Sequence, residues 1–344
     1  MKRGVSGAGG PARLEVELDR PGRHVGALFV PHSHDRSAYG RITLPVIVVK
    51  GGDGPTLLCT AGLHGDEYEG QFALSRLART LDPDRLRGRV ILLPVANPAA
   101  STAAKRTSPI DGVNLARCFP GRPDGLPTEQ IADGIFRLLL HLADCVVDLH
   151  SGGGTLDYLP CAFGRLPADS ALARRVLDLM LAFGAPHAMV MRHPEASATL
   201  VSAALEQGIP AMATELGGGG CVTPRTVEIA RAGIENVLAH LGMIDAVATP
   251  RAKARLLAIE PQGFLRAPGR GAFEPAHALG ETVRTGETAG WLWDFERADR
   301  APEPLLIPDD GVVVCRRVPP MCSAADVLLH LGRDTTRAEL LGVA

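Results

Sequence analysis

The sequence predicts an α/β protein, a sheet covered by helices with a smaller β-rich module behind it, and three observations point there. Short β-branched runs alternate with longer amphipathic stretches over most of the chain, the pattern of strands and covering helices. From Ile259 onward the character changes, and Gly and Pro punctuate short segments such as PQGFLRAPGRGAFEP, LGETVRTGETAGWLW and IPDDGVVVCRR, which read as hairpins. The chain is 46% hydrophobic but only 4% aromatic, so its core must be aliphatic. Its 344 residues suffice for one large α/β domain and a smaller partner.

The start, MKRGVSGAGGPAR, is basic and Gly-rich with no apolar core behind it. It is not a signal peptide, and residues 1–22 read as a flexible tail. Strands are expected where β-branched and aliphatic residues cluster: LPVIVVK at 44–50, TLLCTA at 56–61 and RVILLPVA at 89–96, with a helix over 67–81 between the second and third. Residues 97–127 form a long loop rich in Pro, Gly and Arg, and a loop of that size usually does something. Beyond it come a helix at 128–143, a strand CVVDL at 145–149 and a helix at 171–183. The strand HAMVM at 187–191 follows, then a helix at 197–207 and the strand AMATE at 211–215. A last helix spans 223–241, with Thr223 as its cap and Pro224 at its first position. The chain divides into the tail, a catalytic domain at 23–250 and a β-rich domain at 255–344, with the boundary around 248–258.

Composition excludes several classes. A formal net charge of −2, with no basic stripe interleaved with aromatics, argues against nucleic acid. The longest apolar run, 90–96, is far too short to span a bilayer. Seven cysteines are odd in number, spread along the chain and never in a CxxC, which fits reduced thiols in a cytoplasm.

The chemistry concentrates at three strand ends. AGLHGDEYEG puts His64 and Glu67 three apart straight after an apolar run, with Gly62 and Gly65 to let the backbone bend around an ion. VVDLHSGGG places His150 at the end of another strand and Asp148 two residues back on the same face, where a carboxylate can hold the ring N–H of a ligand histidine. MATELGGGG ends a third strand in Glu215, able to take a proton from metal-bound water and return it to a leaving amine. Each has a plainer reading alone: a surface loop for HxxE, a satisfied core histidine for His150, a helix N-terminal carboxylate for Glu215. The coincidence decides, because in open α/β sheets sites form outside the carboxyl ends of strands. Other patterns are missing: there is no HExxH, no GxSxG, and no Lys-Ser/Thr pair after the glycines of 217–220. His32 and His34 read as exposed loop histidines.

Together, HGDE at 64–67, DGVNLARCFPGRPDG at 111–125, VVDLHSGG at 146–153 and TELGGGG at 214–220 resemble the succinylglutamate desuccinylase/aspartoacylase family of zinc amidohydrolases. The resemblance extends over roughly 41–332 and implies a zinc carboxypeptidase-like fold: α/β, with a mixed central sheet flanked by helices and a smaller C-terminal β domain. It further implies one Zn2+ per chain held by His64, Glu67 and His150, Glu215 as general base, and Arg106 polarising the scissile carbonyl. Arg117 and Asn114 become substrate-binding residues, and Asp148 the outer partner of His150. The family usually reads NLNR where this chain reads NLAR, so Ala116 implies one substrate contact fewer and an altered acyl-amino acid.

The expected activity is hydrolysis of a small N-acyl amino acid by an amidohydrolase, with zinc-bound water activated by Glu215. The expected partner is that small molecule, with no nucleic acid and no membrane, and a homo-oligomer is left open. The alternatives are a metallocarboxypeptidase acting on peptides and a zinc-binding homologue without turnover.

Overall fold

In a computed structural model, which describes residues 9–192, 198–245 and 253–342, the chain builds one large mixed sheet flanked by helices and a second, four-stranded sheet. The strands expected at 145–149, 187–191 and 211–215 are found at those bounds. Arg41–Lys50 and Gly52–Ala61 cover two of the others, and Arg87–Leu93 ends three residues before the expected 96. The last helix is Pro224–His240, and Thr223 caps it by accepting from the Thr226 N–H at 3.1 Å. The expected boundary at 248–258 and the helix start at 197 lie partly outside the described residues.

At the centre of the sheet Gly52–Ala61, Cys145–Leu149 and Ala211–Glu215 run parallel and side by side. Register then places the chemistry. Ala61 pairs with Leu149, so the turn carrying His64 leaves the sheet beside His150. Asp148 pairs with Ala213, so two residues on, His150 and Glu215 finish neighbouring strands at the same level.

Alternation along each strand divides the core in two. Leu57, Cys59, Val147 and Leu149 point to one face, under Glu69–Thr80, Ser170–Phe183 and Pro224–His240. Leu58, Ile91 and Val146 point to the other, under Pro127–Leu138 and Leu200–Glu206. Each fully buried Leu or Ile contributes about 1.5–3 kcal/mol relative to exposure. Phe183 is among the largest fully buried side chains, and a Cβ on Gly233 would sit 2.3 Å from its ring. That glycine is therefore what lets the two helices cross closely. Among the described residues no helix is long and apolar enough to cross a membrane.

Two features depart from expectation. Within the stretch read as a tail, Arg13–Glu15 pairs antiparallel with the unexpected strand Gly22–Pro31, and Ala12 is buried against helix Pro127–Leu138. Basic, Gly-rich composition does not stop a short edge strand from gaining a partner the sequence places downstream. The C-terminal residues have their own core around Phe273, Leu292, Val313 and Leu329. Yet they are not split from the catalytic sheet: Arg255–Ile259 pairs in parallel with His187–Met191, and Gly311–Arg317 pairs antiparallel with Leu156–Tyr158.

Candidate active site

The turn after Ala61 carries both ligand-type residues of the first motif. Gly62 adopts a φ of 69°, and a Cβ on Gly65 would overlap the Ala100 carbonyl carbon at 1.9 Å. Only glycine at 65 lets loop 97–127 approach closely enough to bring Arg106 to the site. The glycines after Glu215 do similar work: a Cβ on Gly218 would lie 2.0 Å from the Leu156 oxygen, and Gly217 accepts from the Gly152 N–H at 2.8 Å. Thr214, fully buried, bonds both the N–H and the carbonyl of His150 through its hydroxyl. His150 and Glu215 are thus locked to each other through backbone.

His64, Glu67 and His150 converge, with one ligand-type atom from each lying within 4.8 Å of the others. Among the described residues no other such group occurs, and His32 and His34 belong to none. The Glu67 carboxylate bridges the pair: Oε1 lies 2.7 Å from His64 Nδ1, and Oε2 2.7 Å from His150 Nδ1. Oε2 also accepts the Ser151 N–H at 3.1 Å, and Arg106 stands 3.4 Å from Oε1.

The outer nitrogens decide what this centre suits. Asn114 Oδ1 accepts the Ala116 N–H at 3.0 Å, which fixes the amide orientation, and lies 3.0 Å from His64 Nε2. That nitrogen must donate. Asp148 Oδ2 accepts from His150 Nε2 at 3.0 Å while its Oδ1 takes the Thr60 hydroxyl at 2.6 Å. In each neutral ring the Nδ1 lone pair then faces a carboxylate oxygen, an arrangement that calls for a cation between them. Burial holds His64 below its ordinary pKa against the pull of Glu67, so a proton does not fill that role there. Burial also disfavours the charged form of His150, but the Asp148 and Glu67 carboxylates outweigh it and hold the ring well above its usual range, so without an ion this ring keeps a proton against Glu67 in the position an ion would take. Burial pushes the Glu67 carboxyl up, and the two histidines outweigh this to hold it below the carboxylate range. Two nitrogens and one carboxylate, each with an oriented outer partner, fit a divalent metal of the zinc type.

Glu215 lines the same cavity and stands outside the three-residue cluster. Its Oε2 is buried with no hydrogen-bond partner among the described residues. Burial first, and then the charge of Glu67, push its pKa up to about 8. The cavity is about 360 Å³ and also takes in Arg106, Arg117, Asp148 and Ser151.

A model of the succinylglutamate desuccinylase/aspartoacylase catalytic domain matches residues 53–241. The N-alpha-acetyl-L-2,4-diaminobutyric acid deacetylase of Halomonas elongata is 41% identical over 320 residues, 92% of this chain and 94% of that protein. The chain belongs to the succinylglutamate desuccinylase/aspartoacylase family. It is an amidohydrolase. Among solved structures, a succinylglutamate desuccinylase/aspartoacylase from Rhodobacter sphaeroides superposes with a TM-score of 0.91 at 40% identity, covering 95% of this chain and 99% of that one. The product-bound ectoine utilization protein EutE from Ruegeria pomeroyi gives a TM-score of 0.91 at 38% identity, covering 94% and 99%.

Against the family motif, two sequence expectations need correction. Asn114 was expected at the substrate; its Oδ1 is taken by His64 and the backbone of Ala116, and it is not among the residues lining the cavity. Ala116 was expected to leave a space beside the substrate. Instead it is 1% exposed, packed in the core with Leu115 and Phe119, and is not among the residues lining the cavity. The 3-10 turn Leu115–Arg117 rotates it inward as it carries Arg117 to the cavity.

Two outcomes follow from this geometry. Asn114→Ala should weaken metal binding about 10–100-fold by freeing the His64 ring, as read by competition with a chelating dye. An unchanged affinity would leave Asn114 as a turn cap only. Ala116→Asn should cost about 1–3 kcal/mol of stability by burying an unpaired amide. A thermal melt checks this, and an undiminished Tm would show that the position opens to the cavity after all.

Sequence reasoning did not find Tyr158, Phe264 or His330, which also line the cavity. The one available signal was His330 itself, a lone histidine inside the apolar strand VLLHLG.

Proposed function

We propose that this chain is a zinc-dependent deacylase that hydrolyses the amide bond of a small N-acyl amino acid, N-acetyl-diaminobutyrate or a close analogue, in the cytoplasm as part of ectoine breakdown. One observation carries the reading: ligand atoms of two histidines and Glu67 meet in the cavity that also holds the unpartnered Glu215 oxygen. The names of the Halomonas and Ruegeria relatives support the substrate and the pathway. The cavity volume, near the low end for small-molecule sites, favours an acyl amino acid over a peptide.

His64, Glu67 and His150 would hold the zinc, which when bound would supply Lewis acidity. Glu215 takes the proton from the attacking water as its oxygen adds to the acyl carbon. Arg106, at the edge of the cluster, hydrogen-bonds the acyl oxygen as negative charge develops there. Arg117 lines the cavity with its guanidinium and grips the substrate carboxylate as a planar fork. Glu215 then passes its proton to the amine nitrogen as the C–N bond breaks, leaving a carboxylate and a free amino acid. Asp148 and Asn114 keep both histidine rings in the donor-outward tautomer throughout.

The test is a panel of N-acyl amino acids and dipeptides assayed with metal content measured alongside. Turnover of N-acetyl-diaminobutyrate or a near neighbour, with about one zinc per chain, is the expected result. Cleavage of dipeptides alone would make the chain a peptidase, and bound zinc with no turnover would make it a binding protein.

A further inference from the structure

Part of the cavity lining is supplied by the C-terminal residues Phe264, Val327 and His330. His330, on strand Val327–Asp334, is 6% exposed and lines the cavity together with Phe264 and Tyr158. Its Nδ1 lies 3.3 Å from the Tyr158 hydroxyl, and the Phe264 ring packs on it at 4.2 Å between centroids. Among the described residues its Nε2 has no hydrogen-bond partner.

We propose that His330, framed by Phe264 and Tyr158, receives the cationic side chain of the amino-acid half of the substrate; this rests on the deacylase reading above. The substrate named for the Halomonas relative carries a second amino group, protonated at neutral pH, and the cavity must place it somewhere. The arginines of the lining, Arg106, Arg117 and Arg165, repel an ammonium. Of the carboxylates, Glu67 is held between two histidines, Asp148 is held by His150 and Thr60, and Glu215 is needed for proton transfer. Among the described residues of the lining, what is left is the aromatic wall, whose rings attract cations: the Arg266 guanidinium carbon already lies 5.7 Å from the Phe264 ring centroid.

His330 adds a directed acceptor to that wall. Burial first, and then the charge of Arg266, push its pKa down to about 3, so the ring brings no positive charge of its own. Arg266 is exposed, and solvent screens it. Cys315 stands directly across the strand pair from Tyr158. With the Tyr158 hydroxyl accepting from His330 Nδ1–H, the Nε2 lone pair is left for an ammonium N–H.

The experiment compares Nα-acetyl-2,4-diaminobutyrate with Nα-acetyl-norvaline, which has a methyl group in place of the ammonium. The native enzyme should prefer the first by kcat/KM. His330→Leu should shrink that preference about tenfold or more, mainly through KM of the charged substrate. Phe264→Leu should shrink it at least about twofold, and it decides the matter if His330→Leu does not fold. Turnover of both substrates with the preference unmoved, or a loss in kcat alone, overturns the assignment of the wall and leaves the deacylase reading standing. Turnover of neither by the native enzyme overturns both.

Discussion

Glu215→Gln should lower kcat by about 10²–10⁴-fold while leaving metal content unchanged, because the amide keeps the shape of the side chain but cannot accept a proton. Glu215 stands outside the ligand cluster, so the metal site itself should survive. The substitution also carries a signature in pH that separates a buried base from a structural carboxylate. In the metal-free protein the Glu215 pKa is raised to about 8, above the ordinary value of about 4.3 in an unfolded chain. Between those values the folded state keeps a proton that the unfolded state has released. Stability from this group therefore falls as pH rises through the window. Glu215→Gln should leave metal-free stability nearly unchanged at pH 4 and raise it above pH 8. Denaturation at both pH values would show it. A variant with near-native turnover, or a stability gain that does not grow with pH, would leave Glu215 without its role.

Glu67→Gln should abolish metal binding and turnover together. The substitution is close to isosteric, yet it replaces a carboxylate that accepts from the Ser151 N–H and sits 2.7 Å from both histidine nitrogens. An amide offers one acceptor oxygen and turns its NH2 toward one of the two rings. Affinity should fall by more than about 100-fold, beyond the effect of losing an outer partner. Arg106, 3.4 Å from the carboxylate, would lose its counter-charge as well. Metal content after dialysis is the direct measurement. A Glu67→Gln protein that keeps a full equivalent of zinc would show that the ion binds elsewhere.

Much of this site was legible in the sequence because ligands at strand ends leave a local trace. HGDE, LHSGG and TELGGGG each join an apolar run to a residue that such a run does not need, with glycines to follow. The strands at 145–149, 187–191 and 211–215 were readable for the same reason, since full burial demands uninterrupted aliphatic residues. The N-terminal strands were not. Gly22–Pro31 is exposed or half-exposed along its first half, and its partner Arg13–Glu15 is three residues long and buries little, so neither has a clear pattern.

By itself, then, the sequence determined the α/β class, the C-terminal β-rich stretch, and the strand ends that carry His64 and Glu67, His150, and Glu215, because each of these signals lies within one short stretch of chain. Tertiary structure alone decided the rest. Register between Asp148 and Ala213 set His150 level with Glu215. The 3-10 turn at Leu115–Arg117 sent Ala116 into the core and the Asn114 carbonyl to His64, placements the order of the motif does not show. The folding back of Val327–Asp334 brought His330 against Tyr158, 172 residues away in sequence. The physical reason is common to all three. A side chain's direction depends on the backbone that carries it, and its partner depends on what the sheet lays beside it, and no short window of sequence contains either.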